Sequence, residues 1–460
     1  MAERFELIEK TLLKMLEDKK YATLRDILNT MNPSDIAALF TGLEEEKQIS
    51  LLFRLLPKEL AAETFVEMDP EEQEVLIRTF SDNELKAVLD ELYVDDAADL
   101  VEEMPANVVK RILRQADPEM RNTINQILRY PEYSAGSIMT TEYVSLRPAM
   151  TVEESILRIR RQGVDKETIY TCYVTGKDRK LLGLVTVKDL LLAEDDEMQV
   201  QDIMLTNIIS VTTMTDQEEV ARMLSKYNFL ALPVVDKENR MVGIVTFDDA
   251  MDVLVEEATE DMEMMGGMLP SEKPYLRNTV FELFKNRIPW LLLLMVSATF
   301  TGMIISSFES ALAAQAALVA FIPMLMGTGG NSGSQSSVTV IRALSLGEIR
   351  FSDILRVVWK EIRTAVICGA VLSVVCFAKI WFIDRLVLGN TGITLEVDMV
   401  VCLALFFTVL VAKVIGAVLP MVAKAIKLDP AVMASPFITS IVDALSLLVY
   451  FLFANLFLGV

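Results

Sequence analysis

The last strongly hydrophobic stretch of the sequence carries a carboxylate near its middle. Four polar side chains recur through residues 431–453 at spacings of four, four and three: Ser435, Thr439, Asp443 and Ser446. These spacings place the four side chains on one face of a helix. An aspartate at the centre of a membrane helix costs about 2.5–3.5 kcal/mol on insertion scales, and such residues mark ion pathways. The stretch therefore predicts the wall of a water-filled path, and the alternative is a buried ion pair with a base such as Lys413.

A glycine-rich polar run lies in an earlier hydrophobic stretch. Residues 323–337 read PMLMGTGGNSGSQSS, and Asn331 and Gln335 are four residues apart, so they share a helical face. Pro323 and the glycines, Gly327 first among them, predict a loosened helix whose freed carbonyls need protein or water as partners. Small residues also allow helices to pack closely, which is the structural alternative. Together with the polar helical face that carries Asp443, which we call the polar stripe, this run is expected to line an aqueous path.

Acidic residues concentrate just before the hydrophobic region. Eight of the sixteen residues 248–263 are acidic, and four share one helical face: Asp249, Asp252, Glu256 and Glu260. Like charges at this spacing each destabilise a helix by about 0.2–0.5 kcal/mol, so the helix should need cations to screen them. A face of carboxylates alone suits hard divalent ions such as Mg²⁺ or Ca²⁺. A cation-responsive helix is predicted, and a solvated acidic linker is the alternative.

The acidic residues are concentrated in the N-terminal part of the chain, and the C-terminal part is hydrophobic. The chain has 460 residues and a formal charge of −22, and of its 65 acidic residues 54 lie in 1–263 and nine lie beyond residue 286. The strong negative charge of the N-terminal part argues against nucleic acid as a partner and favours cations as partners.

The chain has no histidine, which removes the usual general base. It also has no P-loop and no nucleophile elbow, so we expect no enzyme. The N-terminus lacks the basic and then apolar pattern of a signal peptide, so we expect the N-terminal part of the chain to be cytoplasmic.

Residues 1–132 are predicted to form a stack of short amphipathic helices. A repeat appears at an offset of 48 residues, where 57–70 aligns with 105–118. In each copy a proline opens one helix and an Asp-Pro pair opens the next, as helix N-terminal preferences require. The pattern favours an acidic α-superhelical domain. It also contains an acidic cluster, Asp95, Asp96 and Asp99, which helix capping alone could explain.

A second tandem repeat follows in residues 137–199 and 200–255. Each copy reads as a strand, a capped helix, two strands joined by a turn and a final helix, with Gly-Leu-Val-Thr-Val-Lys-Asp in the first and Gly-Ile-Val-Thr-Phe-Asp-Asp in the second. These elements resemble a pair of CBS domains. The resemblance implies an α/β regulatory pair, and because such pairs often bind adenine nucleotides, ATP is a candidate regulator. The residues matching the nucleotide-contacting element are Lys188 and Asp189.

Residues 286–460 contain five hydrophobic spans long enough to cross a membrane. They are 288–308, 313–338, 364–384, 399–421 and 432–458. Basic residues concentrate in the loops after the second and fourth spans, and basic loops stay inside. We therefore expect a multi-pass protein of the plasma membrane with a cytoplasmic N-terminus and an external C-terminus.

The order of these regions resembles the MgtE-type magnesium channels and transporters over nearly the whole chain. The motif Pro-x₃-Gly-x-Gly-Gly-Asn-x-Gly-x-Gln lies in the second span, and Asp-Pro-Ala, a proline and Asp443 lie in the fifth. The resemblance implies a multidomain membrane protein with five transmembrane helices that works as a homodimer in the lipid bilayer. It implies gradient-driven Mg²⁺ uptake through a pore lined by the second and fifth membrane helices. Asp443, with carbonyls around Thr439, would then hold the hydrated ion.

The same resemblance implies gating by cytoplasmic Mg²⁺. The ion would close the pore by bridging the acidic domain, the CBS pair and a connecting "plug" helix, for which we expect residues 249–285. The matching acidic residues are Asp95, Asp99, Glu218, Asp249, Asp252, Glu257, Glu260 and Asp261. One position departs from the family pattern, because Asn228 stands where a carboxylate occurs, which implies one weaker regulatory site.

Two other functions fit parts of the pattern. One aspartate among hydroxyls does not specify an ion, so a less selective conductor of divalent ions (Co²⁺, Mn²⁺) or of Na⁺ is an alternative. A membrane-anchored CBS sensor without transport is another. Asp443 in a polar stripe argues against the sensor, because an anchor has no use for an intramembrane carboxylate.

Overall fold

A computed structural model describes residues 2–43, 45–271, 273, 275–387 and 393–459. The chain divides into two compact units, which we call the N-terminal unit (Met1–Leu254) and the C-terminal unit (Val255–Val460). Each unit is described by itself.

The N-terminal unit begins with ten helices in the described residues. They are α1 Ala2–Glu17, α2 Tyr21–Leu28, α3 Pro33–Thr41, α4 Glu46–Phe53, α5 Lys58–Val66, α6 Pro70–Thr79, α7 Asp82–Leu89, α8 Val94–Glu103, α9 Ala106–Gln115 and α10 Pro118–Ile127. The 48-residue repeat is visible in their starts. Pro57 and Pro105 directly precede α5 and α9, and α6 and α10 both begin at a proline. Proline fits there because the first amide of a helix has no hydrogen bond to lose.

Packing of the ten helices follows a regular order. Most contacts join a helix to its next-but-one neighbour, as in α3 with α5, α5 with α7 and α7 with α9. One hydrophobic core runs through the stack, and its fully buried side chains include Leu24, Phe40 and Leu85. This arrangement confirms the predicted α-superhelical domain.

Two small α/β copies follow. The first contains β1 Tyr143–Leu146, α11 Val152–Gln162, β2 Thr168–Thr175, β3 Leu181–Thr186 and α12 Val187–Leu191. The second contains α13 Val200–Ile203, β4 Val211–Thr212, α14 Gln217–Tyr227, β5 Ala231–Val235, β6 Met241–Thr246 and the start of α15 Phe247–Met265. In each copy the first strand pairs parallel with the second, and the second pairs antiparallel with the third.

The two copies join through reciprocal backbone hydrogen bonds. The Leu181 amide donates to the Asn239 carbonyl at 3.1 Å, and the Met241 amide donates to the Arg179 carbonyl at 2.9 Å. A shared apolar core, with Tyr173 at its centre, covers the junction. The α/β pair predicted from the tandem repeat is confirmed.

The acidic segment after the second copy is a regular helix. α15 has 19 residues and ends at Met265, where Gly267 adopts a left-handed conformation with φ of +71°. The connecting helix predicted over 249–285 is therefore helical only as far as Met265, and the next helix starts at Val280.

The C-terminal unit is built from helices. They are α16 Val280–Ser307, α17 Glu309–Ala314, α18 Ile322–Ser345, α19 Ile354–Lys379, α20 Leu395–Ala425 and α21 Ser435–Leu458. A π-helical segment, Ile380–Val387, continues α19. Within the described residues, four segments are long and apolar enough to cross a membrane: Val280–Ser307, Phe351–Arg385, Leu395–Ala425 and Pro430–Leu458.

The predicted second span differs from the structure in two ways. Residues 313–321 form the end of α17 and a short 3₁₀ helix, and α18 starts only at Ile322. α18 is not among the four apolar spans because glycine, serine, asparagine and glutamine fill its middle. The expectation that Pro323 and the glycines loosen this helix is wrong. Pro323 lies in the first turn, where proline breaks no hydrogen bond, and α18 continues unbroken for 24 residues.

Candidate functional site

The glycines of α18 let it approach two other helices closely. A Cβ atom added at Gly329 would lie 2.7 Å from Ser446 Oγ of α21 and 2.7 Å from Thr408 Cγ2 of α20. An added Cβ at Gly333 would lie 2.9 Å from Ile438 Cγ2 of α21. Only glycine fits at such spacings, so α18 is held tightly between α20 and α21. The close-packing explanation of the glycine-rich run therefore holds for this inner face.

Asp443 lies on α21 beside this contact. Its side chain is half-buried, and its Oδ1 atom is buried with no hydrogen-bond partner among the described residues. The buried ammonium of Lys413 donates instead to Ser336 Oγ at 3.3 Å, and the same serine donates to Glu361 Oε2 at 2.6 Å. No ion pair joins Lys413 to Asp443 in the part of the chain that the structure describes. The alternative of a paired structural carboxylate is thus not supported.

The other members of the polar stripe on α21 have different surroundings. Thr439 faces Gly330, since an added Cβ there would lie 2.9 Å from Thr439 Cγ2. Ser446 is buried and donates to the carbonyl of Val442, one turn earlier, at 2.6 Å. The side chain of Ser435 lies outside what the structure describes. Thr439 and Asp443 are therefore the polar groups of the stripe that stay half-buried beside α18.

The opposite face of α18 is polar, and the described residues of this chain leave it uncovered. Gly327, Asn331 and Gln335 follow one another at spacings of four, and all three are exposed. Nothing lies within 4 Å of a Cβ added at Gly327. Exposed amide side chains at membrane depth require water or a second protein surface as partner. The predicted path residues of α18 therefore share one face, and that face is open.

An acidic cluster lies in the N-terminal unit. It gathers carboxylates from α8, from the residues preceding β1 and β2, and from the first turn of α15: Asp95, Asp96, Asp99, Glu142, Glu167, Asp248 and Asp249. Glu142 also caps α8, because its Oε2 accepts a hydrogen bond from the Val94 amide at 3.2 Å. Asp249 accepts a hydrogen bond from the hydroxyl of Thr246.

Burial and mutual repulsion raise the pKa values in this acidic cluster. Burial, then the Asp249 and Glu142 charges, raises the pKa of Asp96 to about 7. Burial, then the charges of Asp249 and Asp96, raises the pKa of Glu167 to about 8. Asp95 is only 8% exposed, and burial followed by Asp96 raises its pKa well above the usual range. Such shifts mean that the ionised cluster is destabilising without a counter-charge.

Two oxygen atoms in the acidic cluster lack partners. Asp95 Oδ1 and Glu167 Oε2 are buried without a hydrogen bond in the described residues. Within those residues, however, no three His, Cys, Asp or Glu side chains are close enough to hold one metal ion directly. The carboxylates are near enough to repel one another but too far apart to share a bare ion. Mg²⁺ keeps several of its waters when it binds carboxylates, so an ion bound here would contact the carboxylates through water.

Two more of the predicted acidic residues of the N-terminal unit, Glu218 and Asp252, have different surroundings. Glu218 forms an ion pair with Arg222 one turn later on α14. Asp252 is exposed, and its pKa is raised by burial and then by the charges of Glu67 and Asp248.

Three more predicted residues lie in the C-terminal unit. Asp261 Oδ2 accepts a hydrogen bond from Ser345 Oγ, at the end of α18, at 3.3 Å. The pKa of Glu260 is raised by burial and then by the charge of Asp429. Glu257 is half-buried on the same helix.

Sequence reasoning missed Glu142 and Glu167. Glu142 lies 47 residues and Glu167 lies 72 residues after Asp95, and neither belongs to an acidic run. Both directly precede a strand of the first α/β copy, and no spacing rule connects such positions to a helix in another domain. In contrast, the pairing of Glu218 could have been found, because Glu-x-x-x-Arg is the i,i+4 spacing of a helical ion pair.

The candidate nucleotide residues have local structural roles. Asp189 Oδ2 accepts hydrogen bonds from the Thr186 amide at 3.0 Å and hydroxyl at 2.6 Å, which completes the cap of α12. Lys188 is exposed. Asn228, the position that departs from the family pattern, ends α14 in the left-handed conformation with φ of 54°. Asparagine tolerates this conformation better than most residues, which gives a structural reason for its presence.

Comparison with known proteins assigns each region to a family model. Residues 31–133 match the MgtE intracellular N domain, residues 135–196 and 200–256 match CBS domains, and residues 322–453 match the MgtE divalent cation transporter. Together with the fold, these matches place the chain in the class of divalent-cation transporters that carry a CBS pair.

Full-length relatives name the family. The magnesium transporter MgtE of Thermus thermophilus is 37% identical over 98% of this chain and 99% of its own length, and that of Bacillus subtilis is 34% identical over 98% of each. The cytosolic domain of the Mg²⁺ channel MgtE, solved in complex with ATP, is 39% identical with a TM-score of 0.51 over 53% of this chain and 99% of that one. The soluble part of a magnesium transporter is 29% identical with the same TM-score, over 55% of this chain and 99% of that one. The chain belongs to the MgtE family, which confirms the resemblance seen in the sequence.

Proposed function

We propose that this chain conducts Mg²⁺ into the cell down its electrochemical gradient, through a path lined by α18 and α21. One observation carries the proposal: Asp443 presents a buried, unpartnered carboxylate oxygen beside the glycine-rich helix. An unpaired carboxylate at membrane depth destabilises the fold, and a purely structural role would not offset this unfavourable free energy. A passing cation supplies the missing partner.

The ion requirements of Mg²⁺ suit such a site. Mg²⁺ gives up its water reluctantly and is usually held through one or two carboxylates with several waters retained. Asp443 offers a single charge, and half-buried Thr439 lies one turn away on the same face of α21. A hydrated ion held by one carboxylate and nearby backbone carbonyls matches this sparse set of groups.

The open face of α18 supports a homodimer. Gly327, Asn331 and Gln335 lie exposed along it, and a lone chain would turn their polar groups to lipid. A second copy of the chain across a shared water-filled path would give these groups polar surroundings. Both copies would then contribute an Asp443 and an α18 face to one pore.

Cytosolic Mg²⁺ would close the path through the acidic cluster of the N-terminal unit. Burial and repulsion make the ionised carboxylates costly, and Asp95 Oδ1 and Glu167 Oε2 have no partner in the described residues. Hydrated Mg²⁺ would offset the repulsion and hold α8 against the start of α15. At low Mg²⁺ the carboxylates repel one another and this arrangement loosens, so the ion biases a two-state element.

α15 is the element that would carry this change. The helix starts with Asp248 and Asp249, and toward its end Asp261 accepts the hydrogen bond from Ser345 of α18. Loosening the first turn of a continuous helix alters the position of its last turn. The acids Asp252, Glu257 and Glu260 lie along the same helix as further candidate contacts for cations, and Glu218, paired to Arg222, is a weaker candidate.

The proposal also includes a nucleotide that regulates the CBS pair and an orientation of the chain in the membrane. A solved relative of the cytosolic region binds ATP, so ATP is proposed as a regulator of the CBS pair here, with Lys188 and Asp189 as its candidate contacts. Basic loops after α18 and α20 support an orientation with the N-terminal unit in the cytosol and the end of α21 outside, in the plasma membrane.

Mg²⁺ flux into proteoliposomes tests the proposal. The full chain is reconstituted, Mg²⁺ entry is followed with an enclosed fluorescent indicator, and Asp443→Asn is compared with wild type. Removing the charge should lower flux about tenfold or more, because one full charge–ion interaction is lost. Ser440→Ala is the matched control, since this serine lies on the same helix and its hydroxyl donates only to the Pro436 carbonyl among the bonds described.

Each outcome of the flux assay separates the candidate functions. Loss of flux in Asp443→Asn, with Ser440→Ala unchanged, supports a path past α21. Equal flux in wild type and Asp443→Asn would remove Asp443 from the path. Comparable flux of Co²⁺, Mn²⁺ or Na⁺ would replace Mg²⁺ selectivity with the broader conductor, and no flux under any condition would favour the sensor.

A further inference from the structure

One side of α19 faces away from the rest of the described chain. Exposed side chains follow one another along it at spacings of three and four: Arg356, Lys360, Arg363, Ile367, Val371 and Val374. Because Phe351–Arg385 is long and apolar enough to cross a membrane, we expect this side to contact lipid. The first three of these residues are basic and the last three are apolar, so the chemistry of the lipid-facing side changes along the helix.

Exposed tryptophans mark the two ends of this span. Trp359 is 60% exposed and Trp381 is 50% exposed, and 22 residues separate them. At a rise of 1.5 Å per residue this separation is about 33 Å, close to the ~30 Å thickness of the hydrocarbon core. Tryptophan is enriched at both membrane interfaces, because its ring is apolar and its indole N–H is polar. The two tryptophans are therefore expected to lie at the headgroup layers of the two leaflets.

The end of the span at Trp381 has its positive charges paired within the fold. The ammonium of Lys379 lies 2.7 Å from a carboxylate oxygen of Asp384. The guanidinium of Arg385 lies 2.7 Å from a carboxylate oxygen of Asp398. These two basic residues are therefore already compensated and do not attract anionic lipid.

The end of the span at Trp359 presents its positive charges outward. We define the basic patch as Arg356, Lys360 and Arg363, whose side chains are all exposed. The guanidinium carbon of Arg363 lies 5.8 Å from the centre of the Trp359 ring, within the range of a cation–π contact. A cation and an interfacial aromatic ring thus lie side by side at the expected level of the lipid headgroups.

The nearby acidic residues of this segment do not neutralise the basic patch. Asp353 contacts Arg356 at 3.4 Å, but 88% of the arginine side chain is exposed, and exposed ion pairs contribute little. Glu361 interacts instead with the neighbouring helix, where its Oε2 accepts a hydrogen bond from Ser336 Oγ of α18 at 2.6 Å. The outward side at the start of α19 therefore carries net positive charge.

We propose that the basic patch and Trp359 form a binding site for the headgroup of an anionic phospholipid. The guanidinium groups offer paired N–H donors that match a phosphate, and Lys360 adds a compact positive charge. Trp359 contacts the adjoining part of the acyl chains. The site does not involve the ion that the chain conducts, so its test succeeds or fails independently of the proposed function.

Quenching of tryptophan fluorescence by brominated lipids tests the site in the full chain. The chain has three tryptophans, so Trp290→Phe/Trp381→Phe retains only Trp359, and Trp290→Phe/Trp359→Phe retains only Trp381 as the matched control. Each variant is reconstituted in mixed vesicles of phosphatidylglycerol and phosphatidylcholine, with one or the other lipid brominated. Trp359 should associate with phosphatidylglycerol about fivefold more strongly or greater, the effect of one basic residue near an anionic surface. Trp381 should show no preference.

Removing the charges of the basic patch tests their role. In the chain that retains Trp359, Arg356→Gln/Lys360→Gln/Arg363→Gln should abolish the preference, and Lys360→Gln alone should reduce it. Thermal unfolding in detergent checks that each variant is folded. Raising the salt concentration from about 0.1 M to about 1 M should weaken the preference of the parent chain, because exposed charges are screened.

Three results would overturn the proposal. Equal quenching of Trp359 by the two lipids would mean that the site does not select an anionic headgroup. A preference that persists in the triple variant would mean that the basic patch does not cause it. Quenching by neither lipid would mean that another protein surface, such as a second copy of the chain, covers this side of α19.

Discussion

The two units of the chain differ in the groups that surround their buried charged side chains. In the N-terminal unit, α8, β1, β2 and α15 bring carboxylates together, and the charges that act most strongly on Asp95 are other carboxylates. In the C-terminal unit, by contrast, two buried carboxylates meet opposite charges. Lys379 pairs with Asp384 at 2.7 Å, and Arg385 pairs with Asp398 at 2.7 Å.

This difference shows where an external cation is needed. A paired charge is already stabilised by its partner within the fold, whereas an unpaired buried charge destabilises the fold until an ion binds to it. In the acidic cluster, the charges that act most strongly on Asp95, Asp96 and Glu167 are all carboxylates. Asp443 is the corresponding case in the C-terminal unit, because Lys413 is held by Ser336 instead. Unpaired carboxylates thus mark the proposed sites of regulation and of passage.

Breaking a pair in the C-terminal unit should have the largest effect on stability. Asp398 is fully buried, and Asp398→Asn would leave the Arg385 guanidinium without its counter-charge. Removing one partner of a buried pair destabilises by about 3–5 kcal/mol, and the partial exposure of Arg385 places this variant near the lower limit. Thermal unfolding in detergent measures the loss. Arg385→Gln/Asp398→Asn should recover part of it, and a double variant no better than the single one would contradict a paired-charge role.

Removing a charge from the acidic cluster should have the opposite sign. Asp95→Asn relieves repulsion when the carboxylates are ionised, so at about pH 9 and without Mg²⁺ the N-terminal unit should unfold at a higher temperature, by the equivalent of about 1 kcal/mol or more. Added Mg²⁺ should then stabilise the variant less than wild type. Glu218→Gln is the control, since Glu218 is paired with Arg222 and should leave the Mg²⁺ effect unchanged. Equal Mg²⁺ responses in Asp95→Asn and wild type would remove Asp95 from the cation site.

The pH dependence of stability should show the same repulsion in wild type. The pKa of Asp99 is raised to about 7 and that of Glu167 to about 8, burial being the main cause. The folded unit therefore binds these protons more tightly than the unfolded chain does. Their contribution is complete below about pH 4 and is lost as pH rises through about 7 to 8.

Calorimetry in the presence of a chelator measures this dependence. The unfolding temperature of the N-terminal unit should fall between about pH 5 and pH 9, and Mg²⁺ should restore it at the higher pH but change it little at the lower. A Mg²⁺ effect of equal size at both values would mean that these carboxylates are not its site.

The sequence predicted features that depend on local spacing. The helix starts after Pro57 and Pro105 and the tandem α/β copies follow from capping and alternation, and the structure has them. Asp443 was identified because a carboxylate in an apolar stretch is costly wherever the helix lies.

Features that depend on long-range packing could not be predicted in this way. Glu142 and Glu167 join the acidic cluster through the fold of the N-terminal unit, and nothing in their neighbourhood marks them. The continuity of α18 was missed because a glycine-rich run in isolation favours a loose chain. In the structure, close packing of Gly329 and Gly333 against α20 and α21 compensates for that weakness.

Currents through the reconstituted chain, recorded while Mg²⁺ is varied on the side of the N-terminal unit, test the central claim most directly. Wild-type current should fall as Mg²⁺ rises. Asp95→Asn/Asp249→Asn should need about fivefold more Mg²⁺ or greater for the same closure, because two charges of the acidic cluster are gone, while its current at low Mg²⁺ stays that of wild type. If the double variant closes at the same Mg²⁺ concentration as wild type, the acidic cluster of the N-terminal unit does not gate the path.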